Sequence, residues 1–180
     1  YRLCLDSRQV NKGDVFVLLT SQTQNPQASS EYLKQAAAQA AFILSEIEPS
    51  TLLATDDESA NNTQYLDNLP CPVLYVPNIR DVLGDLAQAT LQYHQPVDLP
   101  SVVAVTGTNG KTTISQLVAQ LAQLASLSSA VMGTAGNGRL GALVQASHTT
   151  GDALAVQQFL HQMGVENTDL LALEASSART

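Results

Sequence analysis

Basic residues are scarce in this chain. Of its 180 residues, 8 are Lys or Arg and 16 are Asp or Glu, a formal charge of -8. Duplex nucleic acid asks for a basic footprint, so no nucleic-acid partner is expected. Long apolar runs are also missing. No window approaches the roughly 18 apolar residues of a membrane span, which argues against a membrane partner. No basic segment followed by an apolar stretch marks a secretory leader. Cysteine is sparse: Cys4 and Cys71 match neither a zinc nor a redox spacing, and the plain expectation is a reducing, cytoplasmic setting. The three histidines, His94, His148 and His161, are too scattered for a histidine-rich metal motif. No internal repeat of roughly 20–50 residues recurs.

What is present suffices for a core. Apolar residues make up 44% of the chain and charged ones 13%, which excludes a disordered polymer. The length suits one ordinary domain or two small ones. The chain opens at Tyr1, and its last residues, Glu174 to Thr180, follow an apolar run without a helix cap, so a piece of a longer protein is expected. One boundary stands out. His94-Gln-Pro-Val-Asp-Leu-Pro100 carries two prolines, which block helix continuation and favour an extended path. The chain is therefore divided near residue 98, into 1–98 and 99–180.

The first part reads as a small α/β unit. Asp14–Leu19, Ala41–Leu44 and Pro72–Val76 are short apolar runs fit for strands. Gln22–Ser30 is polar and reads as an exposed loop, with Ser29 or Ser30 capping a helix over Glu31–Gln39. Ile79, Val82, Leu83 and Leu86 recur at helical spacing before the linker. The second part alternates more clearly. Val102–Val105, Ser129–Met132 and Asp169–Leu173 read as strands. Ile114, Leu117, Val118, Leu121 and Leu124 mark one helix face; Ala153, Val156, Leu160 and Met163 mark another. Such alternation argues for a parallel sheet with helical crossovers, whose ligands sit at the carboxyl ends of the strands. Residues 106–113, 133–138 and Glu174 would all lie at that edge. A sheet with so few strands would also leave an uncovered edge and exposed apolar surface.

The strongest motif is Thr106-Gly-Thr-Asn-Gly-Lys-Thr-Thr113, between a strand and a helix. Glycines let backbone N–H groups approach phosphate oxygens, and a helix N-terminus adds partial positive charge. Lys111 would neutralise β- and γ-phosphates, and the Thr112 hydroxyl suits Mg²⁺. The strict phosphate-loop pattern has four residues between its glycines; Gly107 and Gly110 enclose two, so only the Gly-Lys-Thr core matches. The bland alternative is a glycine-rich turn that binds nothing. Glu174, after a buried strand, would hold Mg²⁺ directly or through water, or would be an ordinary polar strand end.

The 106–113 segment resembles the ATP loop of the Mur ligases and their folylpolyglutamate synthetase relatives, and Thr112-Thr113 favours the Mur branch. Leu5-Asp-Ser-Arg8 with Gly13-Asp-Val-Phe-Val17 is similar to the opening uridine-binding domain of the E and F types. Gly133-Thr-Ala-Gly-Asn-Gly138, His148-Thr-Thr150 and Glu174-Ala-Ser-Ser177 look most like the E type. The resemblance covers nearly the whole chain. It implies an α/β fold, with a uridine-binding domain over 1–98 and the start of a parallel-sheet P-loop ATPase domain over 99–180. It also implies ATP-dependent amide formation in peptidoglycan synthesis. There the D-glutamyl carboxylate of UDP-N-acetylmuramoyl-L-Ala-D-Glu is phosphorylated, and a diamino acid displaces phosphate. An F-type or folate-type ligase, and a nucleotide switch without ligase activity, are the other readings.

Carried over residue by residue, the resemblance implies that Gly107, Thr108, Asn109, Gly110, Lys111, Thr112 and Thr113 hold ATP. Lys111 and Glu174 would be catalytic, with Thr112 and Glu174 on Mg²⁺. Leu5, Ser7, Gln22, Thr23 and Gln24 would contact the uridine nucleotide. His148, Thr149, Thr150 and Ser176 would meet the muramoyl-dipeptide, unless Thr149-Thr150 merely caps the next helix. A core leucine and a turn serine are the bland readings of Leu5 and Ser7. His94 and His161 read as helix-surface residues. The resemblance has departures. The loop after Leu19 lacks the usual Gly and Asp-Gly, His148 replaces an Asn, and Ala178 stands where a His is usual. The family's carbamylated lysine, second metal-binding histidine and carboxy-terminal domain have no counterpart here, so these 180 residues alone are expected not to ligate. Diaminopimelate is favoured over lysine on the 133–138 segment, and a monomer is expected.

Overall fold

The computed structural model describes residues 2–20, 26–48, 69–145 and 152–175, with the side chains of 26–28 excepted. The chain divides into two compact units, Tyr1–Leu86 and Ala87–Thr180.

In the first unit, β1 (Leu3–Cys4), β2 (Val15–Leu18), β3 (Phe42–Ser45) and β4 (Val73–Tyr75) form a parallel sheet in the order β1-β2-β3-β4. Its register pairs Val15 with Leu3 and with Phe42. Strand β2 is buried along its whole length, as an interior parallel strand covered on both faces should be. Helix α1 (Pro26–Ala37) follows, with Leu33, Ala36 and Ala37 in the core beside Phe16, Leu18 and Ile43. This corrects the loop expected to run to Ser30. Ser29 lies inside the helix and is buried, so it is no cap. Pro26 explains the earlier start: a proline at the first helical position gives up an N–H that has no intrahelical partner anyway. Strand β1 was not foreseen, because two residues make no periodic pattern.

Helix α2 (Ile79–His94) buries Ile79, Leu83 and Ala87, spaced four apart, and leaves Val82 half exposed. Arg80 near its start donates to the Thr20 carbonyl at 2.7 Å and pairs with Glu46 at 3.6 Å. The division between the units falls inside this helix, at Leu86 and Ala87. The proline segment beyond it is held within the second unit. The Gln92 side chain donates to the Val97 carbonyl and accepts from its N–H, both at 3.0 Å. His161, read as a surface residue, bonds the Gln95 carbonyl at 2.8 Å.

The second unit holds β5 (Ser101–Val105), β6 (Ser129–Gly133), β7 (Gly136–Arg139) and β8 (Leu170–Glu174) in the order β5-β8-β6-β7. Strands β5, β8 and β6 are parallel, and β7 returns antiparallel to β6. Helix α3 (Lys111–Leu124) packs over β8 and β6, and α4 (Ala153–Val165) buries Leu154, Leu160 and Met163. The Asp152 side chain caps α4 by accepting from the Ala155 N–H at 2.7 Å, so capping does not require Thr149 or Thr150.

One expectation fails here. The α3 face built on Ile114, Leu117, Leu121 and Leu124 is not the buried one: these are 48%, 47%, 56% and 83% exposed. Ser115, Ala119 and Ala122 face inward instead, with Val118 partly buried. Small side chains let the helix axis approach the sheet, and Ala119 packs with Val131 and Ala172. Val102 and Val103 of the edge strand β5 are also exposed, which is the uncovered apolar surface expected of so short a sheet. The glycine-rich segment 133–138 was given no secondary structure from the sequence. It is a hairpin whose turn is Thr134-Ala135, and Gly133 pairs with Gly136. A Cβ on Gly136 would stand 2.9 Å from the Val144 carbonyl oxygen, so the returning backbone demands glycine there.

Candidate functional site

In the second unit, β5, β8 and β6 are parallel, so their carboxyl ends share one edge of the sheet. Val105 pairs with Glu174 across β5 and β8. The loop after β5, the start of α3, the β6–β7 turn and Glu174 therefore converge there. Gly110 is the N-cap of α3 in a left-handed conformation, φ 79°, which glycine adopts without a Cβ penalty. No side chain caps that helix end. Its first N–H groups point at the loop, where an anion is favoured. Thr106 to Gly110 are exposed. The Lys111 ammonium donates to the Gly107 carbonyl at 2.7 Å, folding the lysine back over the loop.

Glu174 is nine-tenths buried, at 9% exposure. Its Oε2 accepts from the Thr112 hydroxyl at 3.1 Å and from the Thr134 hydroxyl at 3.0 Å. Its Oε1 has the longer contact, 3.4 Å from the Ser115 hydroxyl, which also donates to the Thr112 carbonyl at 3.0 Å. A hydroxyl has one hydrogen, so the Ser115 contact on Oε1 is the weaker. Among the described residues no Lys or Arg pairs with Glu174. A buried carboxylate served by hydroxyls alone carries charge without a counter-charge, which is costly unless a cation joins it. Hard oxygen donors of this kind, a carboxylate and a threonine hydroxyl 3.1 Å apart, fit Mg²⁺. Ser115 was missed by sequence reasoning, and Gly133 and Thr134 were placed at this edge without their contact to Glu174. The Gly133-Thr134 pair after a strand was visible, but its contact with Glu174 depends on the β6–β8 pairing.

In the first unit, Asp6 opens a short 3₁₀ turn (Ser7–Gln9) by accepting from the Arg8 N–H at 3.0 Å. The Arg8 guanidinium also grips Asp6, at 2.9 and 2.8 Å. These side-chain bonds, then the backbone bond, lower the Asp6 pKa to about 2. Ser7 is buried, and its hydroxyl donates to the Gln35 side-chain oxygen of α1 at 2.8 Å. Leu5 is half-buried rather than a core leucine. Leu5, Ser7, Arg8, Ser29 and Tyr32 line a cleft of about 400 Å³. Leu5 and Ser7 are thus brought together at one cavity; Gln35 and Tyr32 escaped the sequence reading because their helix brings them there. Gln22, Thr23, Gln24, His148, Thr149, Thr150 and Ser176 lie outside the described residues.

Cys4 and Cys71 are free and buried, and burial pushes the Cys71 thiol up. Among the described residues no cluster of three His, Cys, Asp or Glu side chains is placed to bind a metal, and no helix is long and apolar enough to cross a membrane.

A strand, a glycine loop, a helix opening on lysine and threonine, and a strand-end carboxylate against that threonine define the class: an α/β module with the strand–loop–helix arrangement on which phosphate sites are built. Residues 105–180 match the Mur ligase middle domain. The UDP-N-acetylmuramoyl-L-alanyl-D-glutamate--2,6-diaminopimelate ligase of Haemophilus ducreyi is 38% identical over 98% of the chain, which covers 34% of that relative. A solved structure of a ligase of the same name aligns with a TM-score of 0.78 at 36% identity, over 98% of this chain and 32% of that one. The MurF ligase of Thermotoga maritima, solved in complex with ADP, aligns at a TM-score of 0.56 and 20% identity, over 99% of this chain and 32% of that one, and shares the fold. Over nearly its whole length the chain is similar to Mur ligases. It spans about a third of the length of the relatives it matches.

Proposed function

We propose that the protein carrying this chain is an ATP-dependent ligase of the E type. It joins a diamino acid, meso-diaminopimelate in preference to L-lysine, to UDP-N-acetylmuramoyl-L-Ala-D-Glu in the cytoplasm. The observation that carries the reading is the Thr112–Glu174 pair beside the Lys111 loop. The likeness to diaminopimelate-adding ligases over 98% of the chain supports the substrate. Residues 1–98 would bind the uridine nucleotide, and 99–180 would be part of the ATP-binding domain.

In this reading the substrate carboxylate takes the γ-phosphoryl group, and the amine of the diamino acid then displaces phosphate from the acyl phosphate. Carboxylate and triphosphate repel one another, so the site must supply positive charge. Lys111 would leave the Gly107 carbonyl for the β- and γ-phosphates, while the amide groups of Gly107 to Thr113 cradle the chain of phosphates. Thr112 and Glu174 would hold Mg²⁺, which when bound neutralises phosphate charge. In the uridine cleft Leu5 offers apolar contact, and Ser7, fixed by Gln35, offers a hydroxyl oxygen. Gln22, Thr23 and Gln24 would join them, and His148, Thr149, Thr150 and Ser176 would face the muramoyl-dipeptide. A monomer fits this chemistry, and the 180 residues alone would not turn over.

The test is phosphate release by the intact protein with Mg·ATP and UDP-N-acetylmuramoyl-L-Ala-D-Glu, on adding each diamino acid. Release that requires diaminopimelate is the expected result. Release with lysine only corrects the amino acid, and none with either rejects the ligase reading.

A further inference from the structure

Gly133 and Thr134 sit where β6 turns into β7, and the function proposed above gives them no part. The Thr134 hydroxyl donates to Glu174 Oε2 at 3.0 Å, the shortest of that carboxylate's three hydroxyl contacts. Gly133 lies under the same carboxylate: a Cβ built on it would stand 2.3 Å from both Cδ and Oε1 of Glu174. That is far inside van der Waals contact, so any side chain at 133 would drive the carboxylate from its place. Gly133 does not have a positive φ. Space, and not backbone conformation, is what requires glycine there.

From this geometry we infer that Gly133 and Thr134 are positioning residues for Glu174. Gly133 leaves room for the carboxylate and Thr134 fixes its orientation beside the Thr112 hydroxyl, so that it is presented to the Mg²⁺ of a bound nucleotide. The division of labour follows from the partners. Thr112 belongs to the phosphate loop and has its own lone pairs to offer a cation. Thr134 comes from a separate element, the hairpin turn, and touches the carboxylate alone among the groups placed on the cation. Partners that orient a metal ligand typically govern metal affinity by about 10–100-fold. The inference rests on the nucleotide-binding reading of the loop, and its test separates the two.

The experiment titrates a fluorescent ATP analogue into the intact protein, first in EDTA and then at rising Mg²⁺. In Thr134→Val the Mg²⁺ concentration for half-maximal enhancement should rise about tenfold or more, with affinity in EDTA unchanged. Thr134→Ser, which restores the hydroxyl, should return it to the wild-type value. Gly133→Ala should shift it as Thr134→Val does. Thr134→Ala serves as a second donor deletion if the valine variant fails to fold by circular dichroism. Lys111→Ala reports on the loop itself and should weaken binding with and without Mg²⁺. A wild-type Mg²⁺ dependence in folded Thr134→Val or Thr134→Ala overturns the inference while leaving the loop reading intact. An unchanged affinity in Lys111→Ala removes the loop reading and the inference with it.

Discussion

At the scale of single residues, Glu174 sets function against stability. A carboxylate at 9% exposure with hydroxyl partners and no cationic one is an expensive group to keep. Glu174→Gln retains an acceptor oxygen and removes the charge. Its thermal midpoint should equal or exceed that of the wild type, while Mg²⁺ no longer strengthens nucleotide binding. A large fall in the midpoint would mean that the charge is structural. The sequence made the placement of the 106–113 loop and Glu174 at one sheet edge legible, because glycine, lysine and threonine stand in a fixed order between a strand and a helix. It put Thr134 at the same edge without its bond to Glu174, and it did not reveal Ser115 or Gln35. Each is an ordinary polar residue whose role is set by the neighbour that folding delivers.

Among elements, six of the eight described strands were read nearly to their ends, since short apolar runs between breakers have few other uses. The burial of α3 was misread for a physical reason. Hydrophobic periodicity finds the apolar stripe, but this helix turns its small residues to the sheet and leaves its large ones exposed. A contrast of two variants tests this. Leu121→Asp should cost no more than about 0.5 kcal/mol in the 180-residue chain, as a surface change does. Ala119→Leu, at a site with no exposure, should cost about 1–3 kcal/mol through overpacking. Urea denaturation followed by circular dichroism measures both. The reverse order would restore the apolar stripe as the buried face. The hairpin of β6 and β7 was unreadable for a related cause, because glycines 136 and 138 answer to a backbone segment that crosses them later in the chain.

For the molecule as a whole, acid should be the solvent condition it tolerates least. Burial raises the Asp14 carboxyl, but the bonds from Arg2 and from Asn11 outweigh it and hold it below the usual range. Glu46 is likewise raised by burial and lowered further by the Thr20 N–H and by Arg80. Groups with depressed folded-state values contribute stability that is fully present above their unfolded values, near pH 4, and lost as pH falls through the lower folded ones. A urea midpoint that is flat near neutrality and declines below about pH 4 is expected, and Asp14→Asn should flatten part of that decline. A decline unaffected by Asp14→Asn would assign it to other carboxylates. The central claim concerns the phosphate loop, and calorimetric titration of the intact protein with Mg·ATP addresses it most directly. One site is predicted, weakened about 10–100-fold by Lys111→Ala, as the loss of a charged partner to phosphate implies. Equal affinity in the wild type and in a folded Lys111→Ala variant would contradict it.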